Sequence, residues 1–194
     1  MMDSNEFRRV AGHFATGVTV VTARHEGADY GITLSAMSSL SVDPPMMLIC
    51  VNRAAPSHEA IKGSGVFVAH VLGRHQRRLA GQFARPSADK FAGVECTRSE
   101  AGPLVIARTL AHFVCRVAHT VPAGTHTVFL SDVVSARAAT ELEPLVYYRG
   151  GFGRLAGETN VAPPAAYLPP EHEEDLVGAG VVPAAFRLGS FYLS

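Results

Sequence analysis

Val18-Thr19-Val20-Val21-Thr22 is β-branched at every position and predicts a strand. Downstream, Tyr30 to Leu40 reads as a second strand, and Asp43-Pro44-Pro45 turns the chain into a third, Met46 to Asn52. Gly65 to Leu72 supplies a fourth. Leu110 to Val121 alternates, with Phe113, Cys115, Val117 and Val121 on one side. A turn through Pro122-Ala123-Gly124 leads into Thr125 to Ala136, and Leu145 to Tyr148 is a last short strand. Helices are few. Asp3 or Ser4 caps one that carries Phe7, Val10, Ala11 and Phe14 at i, i+3, i+4 and i+7 and is ended by Gly17. Pro56-Ser57 opens a second over Ser57 to Lys62, and Arg74 to Ala84 forms a third with Leu79 and Phe83 on one face. Arg85 to Gly102 is small and polar and reads as a loop. This succession predicts a mainly β fold, a closed or partly closed barrel with short flanking helices. The strand–helix alternation of a doubly wound sheet is missing.

The 194 residues are 47% hydrophobic and 18% charged, and Lys+Arg and Asp+Glu both number 17. A balanced chain lacks the electrostatic footprint of a nucleic-acid or anionic-lipid binder. Cys50, Cys96 and Cys115 form no CxxC, so neither a disulfide framework nor a zinc ribbon is indicated. Met1 to Arg9 is polar, and the longest apolar run, Met46 to Val51, is too short to span a bilayer; a cytoplasmic protein is expected. Residues 1–155 read as one domain. Residues 156–194 are Pro-rich, carry the acidic run Glu171 to Asp175, and end in the apolar stretch Phe186 to Leu193. They read as an extension docked on the barrel or on a second subunit.

GxGxxG, the P-loop, HExxH and GxSxG are all absent, which withdraws support from dinucleotide-fold, NTPase, zincin and serine-hydrolase readings. His112, His119 and His126 lie seven apart, an odd spacing that puts neighbours on opposite strand faces, so no metal is expected. Two segments could carry chemistry. Tyr30 to Ser39 is rich in small and hydroxyl residues and would let a flat ligand approach the backbone. Asn52-Arg53-Ala54-Ala55-Pro56-Ser57-His58 runs from a strand end into a helix start, where phosphate can sit. On residue types alone, a structural turn explains each segment as well.

A family resemblance covers residues 7–155. Phe14-Ala15-Thr16-Gly17-Val18-Thr19-Val20-Val21-Thr22, then Gly31-Ile32-Thr33 through Ser41-Val42-Asp43-Pro44-Pro45, resembles the flavin reductase domain family. Cys50-Val51-Asn52-Arg53-Ala54, Asp89-Lys90-Phe91-Ala92-Gly93, Gly124-Thr125-His126 and Tyr147-Tyr148-Arg149-Gly150 follow in the family's order. Members include the reductase components of two-component flavin-dependent monooxygenases such as that for 4-hydroxyphenylacetate. The resemblance implies an FMN-binding split β-barrel, a homodimer with flavin near the subunit interface, and an NAD(P)H:flavin oxidoreductase that supplies reduced FMN or FAD to a partner monooxygenase.

Carried over position by position, the resemblance lays the isoalloxazine ring along Thr33, Leu34, Ser35, Ala36, Met37 and Ser38. It puts Asn52 and Arg53 on the ribityl and phosphate side, with Ser57 and His58 at the helix start beyond and Phe83 and Ala84 as a further flavin-contacting pair. It places His126, the catalytic candidate, and the Tyr148-Arg149-Gly150 turn near the nicotinamide of NADH or NADPH. Many relatives carry Ser-Phe where this chain has Ala36-Met37, a change that bears on flavin holding. Two other readings share the architecture. One is a flavin-binding carrier or sensor without reductase activity; the other is an enzyme with its own organic substrate and the C-terminal segment as a lid.

Overall fold

The computed structural model describes residues 2–139 and 141–155. Sixteen short elements follow one another: α1 (Ser4–Ala11), β1 (Thr16–Gly17), β2 (Thr19–His25), β3 (Ala28–Leu34), β4 (Met37–Ser41), β5 (Met46–Asn52), α2 (Pro56–Ser64), β6 (Val66–Val71), a 3-10 turn (Arg74–Gln76), α3 (Arg77–Ala84), β7 (Cys96–Arg98), β8 (Leu104–Ile106), β9 (Ala111–Ala123), β10 (His126–Ala138), β11 (Val146–Tyr148) and β12 (Gly151–Gly153). Seven of the strands form one antiparallel sheet in the order β3-β2-β6-β9-β10-β5-β4. Its two edge strands, β3 and β4, are joined through Ser35 and Ala36 alone. Three backbone steps reach about 11 Å at most, so the two edges of the sheet must meet. The sheet closes into a barrel that is split along this seam, and Thr19 Oγ1 reaches from β2 to Met37 Sδ on β4 at 3.7 Å.

The single strand expected over Tyr30 to Leu40 is therefore two, because the chain leaves one sheet edge at Leu34 and starts the opposite edge at Met37. The unbroken β-branched run of β2 has a matching cause. Val21 and Ala23 face the barrel interior with Ile49, Val51, Phe67, Cys115 and Phe129. Val18 and Val20 pack outside it against Leu72, Ala80, Phe83, Ile106 and Leu145. A strand buried on both faces has no polar face to alternate with.

Other differences from the sequence expectation are local. Asp3 caps α1, accepting from the Asn5 and Glu6 amides, but the helix stops at Ala11 with Gly12 as its cap. It cannot run to Gly17 because Thr16 and Gly17 are extended, paired with Tyr147 and Val146. Phe7, Val10 and Phe14 are exposed and take no part in the core. The expected loop from Arg85 to Gly102 contains β7, paired with β8. The β9–β10 turn is Gly124-Thr125, one step later than expected, with Gly124 at φ 56° in the left-handed region. Phe113, Cys115 and Val117 share the barrel core, whereas Val121 is exposed. The register passes from Leu130↔His119 to Ser131↔Val117, so Ala118 is an extra residue that resets the alternation. Among the described residues, no helix is long and apolar enough to cross a membrane. The C-terminal extension, and with it the expected docking of 156–194, lies outside the described residues.

Candidate functional site

A cleft of about 950 Å3 opens along the barrel seam. One wall is the outer side of the link and of β4 and β5, carrying Ser35, Ala36, Met37, Ser38, Leu48 and Cys50. The small residues of the link leave the backbone open: among the described residues its backbone bonds are Met37 N–H to Ser35 O at 3.1 Å and Cys50 N–H to Ala36 O at 3.0 Å. Burial pushes the Cys50 thiol up, so it stays a neutral, weakly polar surface.

The other wall comes from α1 and the β11–β12 turn, with Arg8, Arg9, His13, Tyr147, Arg149 and Gly150. That turn is tight because Arg149 and Gly150 both adopt positive φ, 49° and 80°. A non-glycine residue held there is a strained position of the sort found at binding sites. Arg149 N–H donates to Gly12 O at 2.8 Å and ties the end of α1 to the turn. His13 meets Tyr148 edge-on at 6.2 Å between centroids. Among the described residues the lining holds three guanidinium groups and an imidazole and no carboxylate, although the whole chain is balanced. Thr16 Oγ1, also on the lining, is a buried oxygen with no hydrogen-bond partner among the described residues. A buried hydroxyl without a partner at a cleft wall can hydrogen-bond a group bound there.

A second cleft, about 1050 Å3, lies beyond the outer side of β3. Ala54 to Ser57 at the start of α2 and Ala84 to Phe91 after α3 border it. Lys90 Nζ donates to Gly31 O at 2.9 Å and Phe83 O at 3.0 Å, and burial pushes its pKa down. Asp29 accepts from Arg98 and Arg24 at the rim; the Arg98 hydrogen bond holds its carboxyl below the usual range.

The residues expected in the site thus fall into three groups. Ser35, Ala36, Met37 and Ser38 share the seam cleft with Arg149 and Gly150, and exposed Tyr148 adjoins it. Ser57 and Ala84 border the second cleft. Asn52, Arg53 and His126 gather at the end of the barrel, where His126 pairs with Asn52. There Asn52 Oδ1 accepts from Ala54 N–H at 2.9 Å, the Arg53 guanidinium donates to Gly124 O, and His126 Nδ1 lies 2.9 Å from Thr125 Oγ1. This third group continues the seam wall. Leu48, Cys50 and Asn52 lie on one face of β5, and two residues of strand advance about 7 Å.

The other four expected residues belong to none of these groups and line neither cleft. Thr33 Oγ1 donates to Ala80 O at 2.8 Å, Leu34 packs on the barrel core, and Phe83 is fully buried edge-on to Phe91. His58 is buried with both ring nitrogens engaged, one by Glu59 Oε1 and one by Thr127 Oγ1, each at 2.8 Å. Conversely, sequence reading missed Arg8, Arg9, His13 and the Thr16 hydroxyl as cleft residues. The α1 arginines stood beside an apolar pattern that read as a core face; only the exposure of that face reveals the other one.

The family model for the flavin reductase like domain matches residues 11–156. The reductase component of the 4-nitrophenol 4-monooxygenase/4-nitrocatechol 2-monooxygenase of Rhodococcus opacus is 46% identical over 159 residues, 82% of this chain and 85% of that protein. Among solved structures, component B of nitrilotriacetate monooxygenase from Mycobacterium thermoresistibile is 36% identical with a TM-score of 0.78, covering 81% of this chain and 89% of that one. The NADH:FAD oxidoreductase SgcE6 of Streptomyces globisporus, solved with NAD and FAD fragments, is 34% identical with a TM-score of 0.78 over 81% of this chain and 96% of that one. A barrel split beside an open backbone link, and relatives matched along most of both chains, lead to one conclusion: this chain belongs to the flavin reductase family.

Proposed function

We propose that the chain is an NADH-dependent flavin reductase that hands reduced FMN or FAD to a separate monooxygenase. Relatives named for that activity, and for the reductase role in two-component oxygenases, support the reading. The observation that carries it is the seam cleft, where open backbone, the unpartnered Thr16 hydroxyl and a cationic wall face one another. The open backbone and the hydroxyl fit a flat, hydrogen-bonding ring system, and the cationic wall fits an anionic group stacked against it. Bound there, the flavin supplies an electron-accepting ring that takes hydride from a reduced nicotinamide.

The protein's own contribution is positional. The Ser35–Ser38 wall offers backbone amides that stabilise negative charge at a ring edge. Leu48 and Cys50 give the seam cleft a low-polarity floor, and on the second cleft the cap-free start of α2 at Ser57 offers backbone donors to a phosphate. His126, at the far end of the seam wall, orients the nicotinamide by hydrogen bonding or stacking. The exposed side chains of Phe7, Val10, Phe14, Val121 and Val134 support a homodimer, which would cover apolar surface. A cytoplasmic location belongs to the same proposal.

Anaerobic mixing of the protein and FMN or FAD with NADH or NADPH tests the reading, through loss of the flavin's visible absorbance. Rapid bleaching is expected. Flavin that binds and stays oxidised with both nicotinamides would establish the carrier reading instead. His126→Ala is expected to slow bleaching about tenfold or more with flavin affinity retained. Collapse of flavin binding in that variant would move His126 to the flavin side.

A further inference from the structure

We propose that Arg8, acting with Arg149, binds the diphosphate of the pyridine dinucleotide, which makes α1 the element that selects the reductant. The inference rests on the reductase reading above. It starts from charge. Among the described residues the seam cleft gathers Arg8, Arg9 and Arg149 with His13 and no lining carboxylate, in a chain whose total charge is zero. Such a lining raises the local concentration of an anion.

The three arginines are not equivalent. Arg9 is engaged by Glu6 Oε1 at 2.8 Å. Arg8 donates only to the neutral Asn5 Oδ1, at 3.1 Å, and among the described residues neither Arg8 nor Arg149 forms an ion pair. Two uncompensated guanidinium groups match the two charges of a diphosphate, and each fork can bind phosphate oxygens in pairs.

The two groups are carried by parts that are fixed to each other. Gly12 O accepts from Arg149 N–H at 2.8 Å, and a Cβ at Gly12 would lie 3.2 Å from Arg8 O and 3.7 Å from the Arg149 Cα. The junction of α1 with the turn is thus close-packed backbone, while Arg8 itself stays exposed.

A diphosphate here has two sources, FAD and the nicotinamide dinucleotide. Hydride transfer needs the two rings face to face, so their carriers approach from opposite walls. The link wall, Ser35 to Ser38, takes the flavin; the wall that bears Arg8 is left for the reductant.

The test compares KM for NADH with KM for reduced nicotinamide riboside, which has the same ring and no phosphate, and with KM for FAD. In Arg8→Ala the advantage of NADH over the riboside is expected to shrink about tenfold, with a flatter salt dependence of KM for NADH. Arg8→Lys recovers part of the loss as a point charge without the fork. α1 buries no side chain, so neither variant threatens folding. A shift in KM for FAD with none for NADH would overturn the assignment and give Arg8 to the flavin. An unmoved NADH-to-riboside ratio would remove Arg8 from recognition. Wild-type protein that oxidises neither donor would instead overturn the reductase reading itself.

Discussion

Gly31 lies in β3 where α3 crosses it, and a Cβ built there would stand 2.3 Å from Phe83 Cε1 and 3.4 Å from Phe91 Cζ. Neither ring can retreat, since Phe83 is fully buried and packs edge-on against Phe91. Gly31→Ala is therefore expected to destabilise the fold by about 1–3 kcal/mol, read as a lowered urea midpoint with unchanged slope. His70 is a second residue whose role is local. It is buried, donates from Nδ1 to Val20 O at 2.9 Å, and accepts at Nε2 from Ile106 N–H at 3.0 Å. The Nε2 bond requires the neutral ring, because a protonated Nε2 cannot accept from the Ile106 amide. Burial pushes its pKa down to about 4 from 6.5, with the nearby His112 adding to the shift. The unfolded chain therefore binds the proton first as pH falls. Stability is complete above about pH 6.5 and is lost through the window down to about pH 4, by about 3 kcal/mol for this group. His70→Gln should flatten that part of the pH–stability curve. A curve of unaltered shape would mean that another group carries the acid sensitivity.

At the scale of elements, α1 and β2 are opposites. β2 is legible because a strand buried on both faces must be apolar or β-branched throughout, and Val18 to Thr22 obeys that rule. α1 has a helical apolar spacing just as clear, yet buries nothing among the described residues. Its stability rests on its own cap. Asp3→Ala removes acceptors for the Asn5 and Glu6 amides, at 3.0 and 3.2 Å, and is expected to cost the helix about 1 kcal/mol. Hydrogen exchange should accelerate within α1 while the global unfolding midpoint stays in place. A lowered global midpoint would show that α1 is coupled to the barrel more tightly than its exposure indicates. The β3–β4 break was not legible for a different reason. Ser35 and Ala36 suit a strand as well as a link, and local preference does not reveal that the chain is changing sheet edges there.

For the whole molecule, the described residues between Val18 and Phe152 supply two packed cores. A chain truncated after Leu155 should still unfold cooperatively, and weaker self-association or altered flavin affinity is the expected consequence. A truncated chain matching the full one in light scattering and flavin titration would mark the extension as passive. The succession of the longer strands, the balanced charge and the family motifs could be recognised along the chain, because periodicity, composition and short motifs are one-dimensional properties. Which residues share a cleft could not. Ser35 and Arg149 meet only because a seven-stranded sheet closes on itself and the end of α1 bonds to a distant turn. His58 stands six residues from Asn52 in sequence yet is buried, its Nε2 held by the Thr127 hydroxyl of β10. Local chemistry decided which residues could serve a flavin, and closure of the sheet decided which of them face the same space.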